Sequence, residues 1–233
     1  MNPSVFVLPF ALGAVLRVLI GLGAAVYLIG QCRKPSRWVG QFFLWMMNKR
    51  HSDLTDWGLQ HVQLGKRFAV LDVGCGGGRT IQKLAARATD GKVYGADYAA
   101  GSVVASRANN AELIQAGRVA VVRASVSALP FFDGKFDLVT AVETQYFWPD
   151  LVNDMKEIRR VLKPGGTLVV IAEAYKGEGD SKAHSALLKC LGSGYLSVQE
   201  HQELLAKAGY IDAQVFEERR RRWICVIGRN PDS

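Results

Sequence analysis

The order of apolar and polar positions divides the chain into three parts. From Val5 to Ile29 the sequence VFVLPFALGAVLRVLIGLGAAVYLI is apolar apart from Arg17. A helix of roughly 20 apolar residues reaches across the hydrocarbon core of a bilayer. The run therefore predicts an apolar helix of spanning length, with Pro9 near its start, where a missing N–H is tolerated. Pro35 to Leu64 mixes aromatic and charged residues (Trp38, Phe42, Phe43 and Trp45, then Lys49, Arg50 and His51) and predicts one or two amphipathic helices. From Lys66 onward short β-branched runs alternate with helical ones, as in a parallel sheet with helices on both faces.

Within that third part, strands are predicted over Phe68–Val73, Lys92–Ala96, Arg118–Arg123, Phe136–Ala141 and Thr167–Ala172. The helices between them are predicted over Thr80–Ala88, Ser102–Ala116 and Leu151–Leu162. Ser197 followed by Glu200 has the capping-box pattern and opens a further helix that stops at Gly209. Ile211–Phe216 and Trp223–Ile227, joined by Glu217–Arg222, read as a closing hairpin, so one strand there should be antiparallel. The fold class is α/β, a doubly wound, mostly parallel seven-stranded sheet preceded by an apolar helix. The expected organisation is an apolar segment over 1–34, an amphipathic lead-in over 35–65 and one α/β domain over 66–233.

Charge refines this picture. The net charge of the 233 residues is +8, distributed as +6 over residues 1–50, −2 over 51–218 and +4 over 219–233. A nucleic-acid-tracking protein would carry its basic stripe on the main domain. Here only the two ends are basic, which favours a membrane surface as partner and excludes nucleic acid. Arg33, Lys34 and Arg37 directly follow the apolar run, so the positive-inside rule places the downstream domain in the cytoplasm, behind a single-pass anchor. Arg17 and the glycines keep open a helix that lies in the interface. The missing basic n-region argues against a cleaved signal peptide. Cys32, Cys75, Cys190 and Cys225 are scattered without a CxxC pair, and the four histidines lack ligand spacing, so neither a disulfide framework nor a metal site is expected.

The chemistry begins at Asp72-Val73-Gly74-Cys75-Gly76-Gly77-Gly78, a glycine-rich turn directly after a buried strand. Such a turn lets backbone approach a ligand, and the next helix N-terminus offers free N–H donors. Asp97 ends the second strand, where a carboxylate can accept both hydroxyls of a ribose. With these, Leu129-Pro130-Phe131 after the third strand, Phe136-Asp137 in the fourth and Leu162-Lys163-Pro164-Gly165-Gly166 before the fifth appear in order. Over Lys66 to Arg229 the chain resembles the class I S-adenosylmethionine (SAM)-dependent methyltransferases, of the type that modifies small molecules such as quinones. The resemblance implies SAM as cofactor. It implies that Gly74, Gly76 and Gly78, with Cys75 between them, bring the loop to the methionine part, and that Asp72 steadies the loop and the amino end. Asp97 would hold the ribose and Tyr98 would flank the adenine. After the third strand the family often has an Asp, whereas Ala124-Ser125-Val126 stands here, so Ser125 would offer an uncharged contact beside Val126. A nicotinamide dinucleotide is the rival ligand. Its loop is more often G-x-G-x-x-G, and Arg79 takes the last glycine's place.

Methyl transfer from a sulfonium depends chiefly on positioning, and a base is needed only if the acceptor loses a proton. Ligands sit at strand C-terminal ends, which selects Glu143 as candidate base, with Tyr146 in the following aromatic run, and Glu173 and Tyr175 as second choices. His51 in the lead-in is a further candidate, while His184 and His201 read as exposed helix residues. Two other readings stay open: a methyltransferase of a soluble metabolite, and a scaffold that binds SAM without turnover.

Overall fold

Alternation along the strands divides the core in two. The computed structural model describes residues 52–173, 175–177 and 195–232. In β1 (Ala69–Val73) Val70 packs into one buried cluster and Leu71 into the other, because successive side chains leave a strand on opposite faces. β5 (Leu162–Ala172) repeats this, with Leu168 and Val170 on one side and Val169 and Ile171 on the other. Strands buried on both faces carry near-continuous apolar runs, which is why these were legible as strands.

β2 (Lys92–Asp97), β3 (Val119–Arg123) and β4 (Phe136–Val142) complete the parallel part, and β6 (Ile211–Glu218) and β7 (Trp223–Arg229) close the sheet. The order is β3-β2-β1-β4-β5-β7-β6, with β7 antiparallel to both β5 and β6. The predicted seven strands and antiparallel closure are both present. The order reverses between β1 and β4, the place where open α/β sheets bind ligands.

Helices α1 (Ser52–Gly58), α2 (Arg79–Arg87) and α3 (Ala100–Asn109) bury Leu54, Ile81, Leu84 and Val103 in one cluster. After the short α4 (Ala111–Gln115), α5 (Leu151–Val161) and α6 (Val198–Lys207) bury Met155, Ile158, Leu204 and Leu205 in the other. α1 lies tight on the sheet: a Cβ on Gly58 would stand 2.5 Å from Ile171 Cδ1. Lys83 fixes it, donating to the Ser52 carbonyl at 3.0 Å and pairing with Asp56.

Three expectations need correction. The single helix over Ser102–Ala116 is two, α3 and α4, because the Asn110 side chain turns back to donate to the carbonyls of Ser106 and Gly78 at 2.8 and 3.1 Å. The last hairpin turn is shorter than predicted, since β6 runs on to Glu218 and leaves Arg219–Arg222. His201 is not exposed: it is 2% accessible, its Nδ1 donates to the Ser197 carbonyl at 2.8 Å, and burial lowers its pKa. The apolar segment, the lead-in as far as His51, Cys32, His184 and Cys190 lie outside the described residues. Among the described residues no helix is long and apolar enough to cross a membrane.

Candidate active site

The β1–α2 loop turns on left-handed glycines. Gly74 has φ 70° and Gly78 φ 82°, conformations that side chains with a Cβ rarely adopt. Both are also packed against the protein itself. A Cβ on Gly74 would collide with the Thr144 hydroxyl, and one on Gly78 with the Asn110 amide and Ser106 hydroxyl. Gly78 therefore starts α2 and does not line the cavity, contrary to its expected role; Gly77 lines it instead.

Backbone groups fold the loop onto β2. Gly74 N–H and Cys75 N–H both donate to the Ala96 carbonyl, at 2.7 and 3.2 Å. Asp97 holds two loops at once: Oδ2 accepts from Gly76 N–H at 3.0 Å and Oδ1 from Ala99 N–H at 2.8 Å. Asp72, 2% exposed, accepts from the Thr140 hydroxyl at 2.7 Å.

These groups border a cavity of about 330 Å³ at the C-terminal ends of the parallel strands. Asp72, Gly74, Cys75, Gly76, Asp97, Tyr98, Ser125, Val126 and Glu143 all line it, as expected from sequence. Phe147, Trp148 and Pro149 line it as well. Tyr146 does not line it: the ring is buried, and its hydroxyl donates to Glu143 Oε1 at 3.2 Å. His51 lies outside the described residues. Sequence reasoning missed Thr55 of α1, Ser102 of α3 and Thr144, which belong to no motif and reach the cavity through helix packing or a strand end. Only the position of Thr144, just beyond β4, carried a usable signal.

Burial governs the electrostatics. It pushes the Asp72 carboxyl from an ordinary 3.8 up to about 7, against the Thr140 hydrogen bond and with help from the Asp97 charge. Burial likewise raises Asp97, opposed by its two backbone N–H donors. The Cys75 thiol is driven well above its usual range by burial and by both carboxylates, so it stays protonated and is no nucleophile. Glu143 stands at the end of β4 with φ 55°. Its Oε1 also accepts from Glu173 N–H, so this carboxylate ties the end of β4 to the end of β5.

Three carboxylates, Asp72, Asp97 and Glu143, in a largely apolar and aromatic cavity suit a cationic nucleoside better than a pyrophosphate. Among the described residues the one basic side chain on the lining, Arg79, donates to Gln82 at 3.1 Å. Residues 71–170 match the family model described as "Methyltransferase domain". This segment is a methyltransferase domain, and these findings support the class I SAM-dependent type. SAM is the cofactor of this domain, and the glycine loop with Asp72 and Asp97 fits it.

The methyltransferase domain has curated relatives and solved neighbours. It is 27% identical over 187 residues to a sterol 4-C-methyltransferase of Caenorhabditis elegans, covering 78% of this chain and 54% of that protein. It is 33% identical over 102 residues to a demethylmenaquinone methyltransferase of Bacillus mycoides, covering 43% of each. The chain thus spans about half the length of these relatives. Among solved structures, the complex between the Haloferax volcanii Trm112 methyltransferase activator and the putative methyltransferase superposes with a TM-score of 0.71 at 20% identity. That alignment covers 83% of this chain and 96% of the other, and shows a common fold.

Proposed function

We propose that the protein transfers the methyl group of SAM to a small, lipid- or quinone-like acceptor at a membrane surface. One observation carries the reading: the cavity that Asp72 and Asp97 line is also lined by the aromatic side chains of Phe147 and Trp148. The sterol and quinone relatives support an apolar acceptor. The apolar run over residues 5–29 and the basic residues after it support a single-pass anchor with the domain on the cytoplasmic side. The division into an anchor over 1–34, a lead-in over 35–65 and a catalytic domain over 66–233 belongs to the same proposal.

SAM supplies, when bound, a methyl group activated by its positive sulfur. The chain's own residues do the rest. Asp97, held by two backbone donors, keeps lone pairs for the ribose hydroxyls. Asp72 offers its charge to the amino end, while Tyr98, Ser125 and Val126 border the base. The ring faces of Phe147 and Trp148 favour a cation and wall the acceptor. Glu143 stands where an acceptor proton would be released, and Tyr146 orients its carboxylate. His51 remains a second candidate for that proton. Holding donor and acceptor in line supplies most of the acceleration.

Incubating the full chain with methyl-labelled SAM and a total membrane lipid extract tests the reading. Label in the organic phase is the expected result. Label in a water-soluble metabolite would reassign the acceptor, and SAM binding without label transfer would make the protein a scaffold.

A further inference from the structure

The tip of the last hairpin reads Arg219-Arg220-Arg221-Arg222, and all four residues are exposed. Its location follows from strand direction. β6 and β5 are each antiparallel to β7, so β6 runs parallel to β5 and ends on the same side of the sheet. That is the side on which the cavity opens.

Contacts tie the tip to this end of the molecule. Arg222 donates to the Tyr175 carbonyl at 2.9 Å and to the Tyr195 hydroxyl at 2.7 Å. The Arg221 guanidinium lies 4.6 Å from the Trp223 ring centre, and Trp223 meets Trp57 of α1 at 5.8 Å. Trp57 is two residues beyond Thr55, which lines the cavity. Both indoles are half-buried, so each presents an edge to solvent. Two carboxylates stand against the tip: Glu217, 3.6 Å from Arg219, and Glu218, which accepts from Arg220 N–H at 3.3 Å. Residues 217–222 keep a net charge of +2.

A hairpin tip is convex, and none of its arginines lines the cavity. It has no concavity to enclose a small anion, but it can rest on a charged plane. We propose that the Arg219–Arg222 tip, with Trp57 and Trp223 beside it, docks on an anionic phospholipid surface and holds the cavity mouth against the bilayer. The composition of the sequence before α1 suits the same surface, since residues 1–50 hold six basic and no acidic side chains. The inference rests on the membrane-surface reading of the site, though not on the identity of the acceptor.

The test uses the full chain reconstituted in vesicles of phosphatidylcholine, with or without phosphatidylglycerol. Trypsin should cut the tip readily on neutral vesicles. On anionic ones the cut should slow about ten-fold, as a few arginine–headgroup contacts imply, and high salt should restore it. In flotation, the R219Q/R220Q double variant should lose about five-fold of its preference for anionic vesicles per arginine replaced. Its heat of SAM binding should stay unchanged. Equal cleavage on both vesicle types would overturn the proposal, as would an unaltered lipid preference in the variant or competition by inorganic phosphate at millimolar level. If the tip is shielded yet no lipid is labelled by SAM, the docking surface stands and the acceptor reading alone fails.

Discussion

Three carboxylates at the cavity differ in what they are already bonded to, and this separates their roles. Asp72 is buried and raised to about 7. A carboxyl raised on folding binds its proton more tightly in the folded state, so stability falls as pH rises between about 4 and 7. The Asp72→Asn variant should flatten that part of the melting-temperature profile of the cofactor-free protein. Since the charged form is the one that attracts an ammonium, SAM affinity should rise over the upper part of the same range, and calorimetry across pH would show it. Asp97 is buried too, with both oxygens engaged. Asp97→Asn leaves one oxygen for the two N–H groups of Gly76 and Ala99, so it should weaken SAM binding about ten- to hundred-fold, the size of one charge-assisted hydrogen bond, and lower the melting temperature of the cofactor-free protein as well. Glu143→Gln retains an oxygen for Tyr146 and Glu173 N–H, so the variant should fold normally. If Glu143 takes a proton from the acceptor, the label-transfer rate should drop about 10²- to 10⁴-fold with SAM affinity intact. A full rate would leave Glu143 as a clamp between strand ends.

At the scale of elements, α1 is a wall of the site built from outside the matched methyltransferase segment. Its position depends on Gly58 lying against Ile171 and on Lys83 reaching Ser52 and Asp56. Gly58→Ala should force α1 away from β5, costing about 1–3 kcal/mol as overpacking does. Because Thr55 moves with α1, SAM affinity should fall as well. Denaturant unfolding and calorimetry on the same variant would separate the two effects. The β1–α2 loop shows the reverse dependence. Gly74 and Gly78 are required first by the chain's own neighbours, Thr144, Asn110 and Ser106, and the approach to a cofactor comes after.

For the molecule as a whole, the sheet was legible because its strands are buried on both faces and bounded by Gly, Pro and Asp. The cofactor half of the site was legible because its residues sit at strand ends in one continuous stretch. What escaped was set by tertiary contact. Asn110 divides a helix by bonding back to Gly78, far away in sequence. Thr55 and Ser102 reach the cavity only because their helices dock there. His201 looked like a surface residue on a short helix, yet it is buried on the same face of α6 as Leu204 and Leu205. Gly78 belonged to the right motif but serves the helix start.

Asp97 has one more consequence. Its two oxygens already hold the amides of two of the loops that frame the cavity, so those loops are latched before any nucleoside arrives. A visiting cofactor has only to share an existing bond, and neither of these two loops must first be ordered around it. Stopped-flow traces of SAM entering the cavity should accordingly show a single phase whose rate climbs in proportion to concentration, without a plateau from a slow rearrangement.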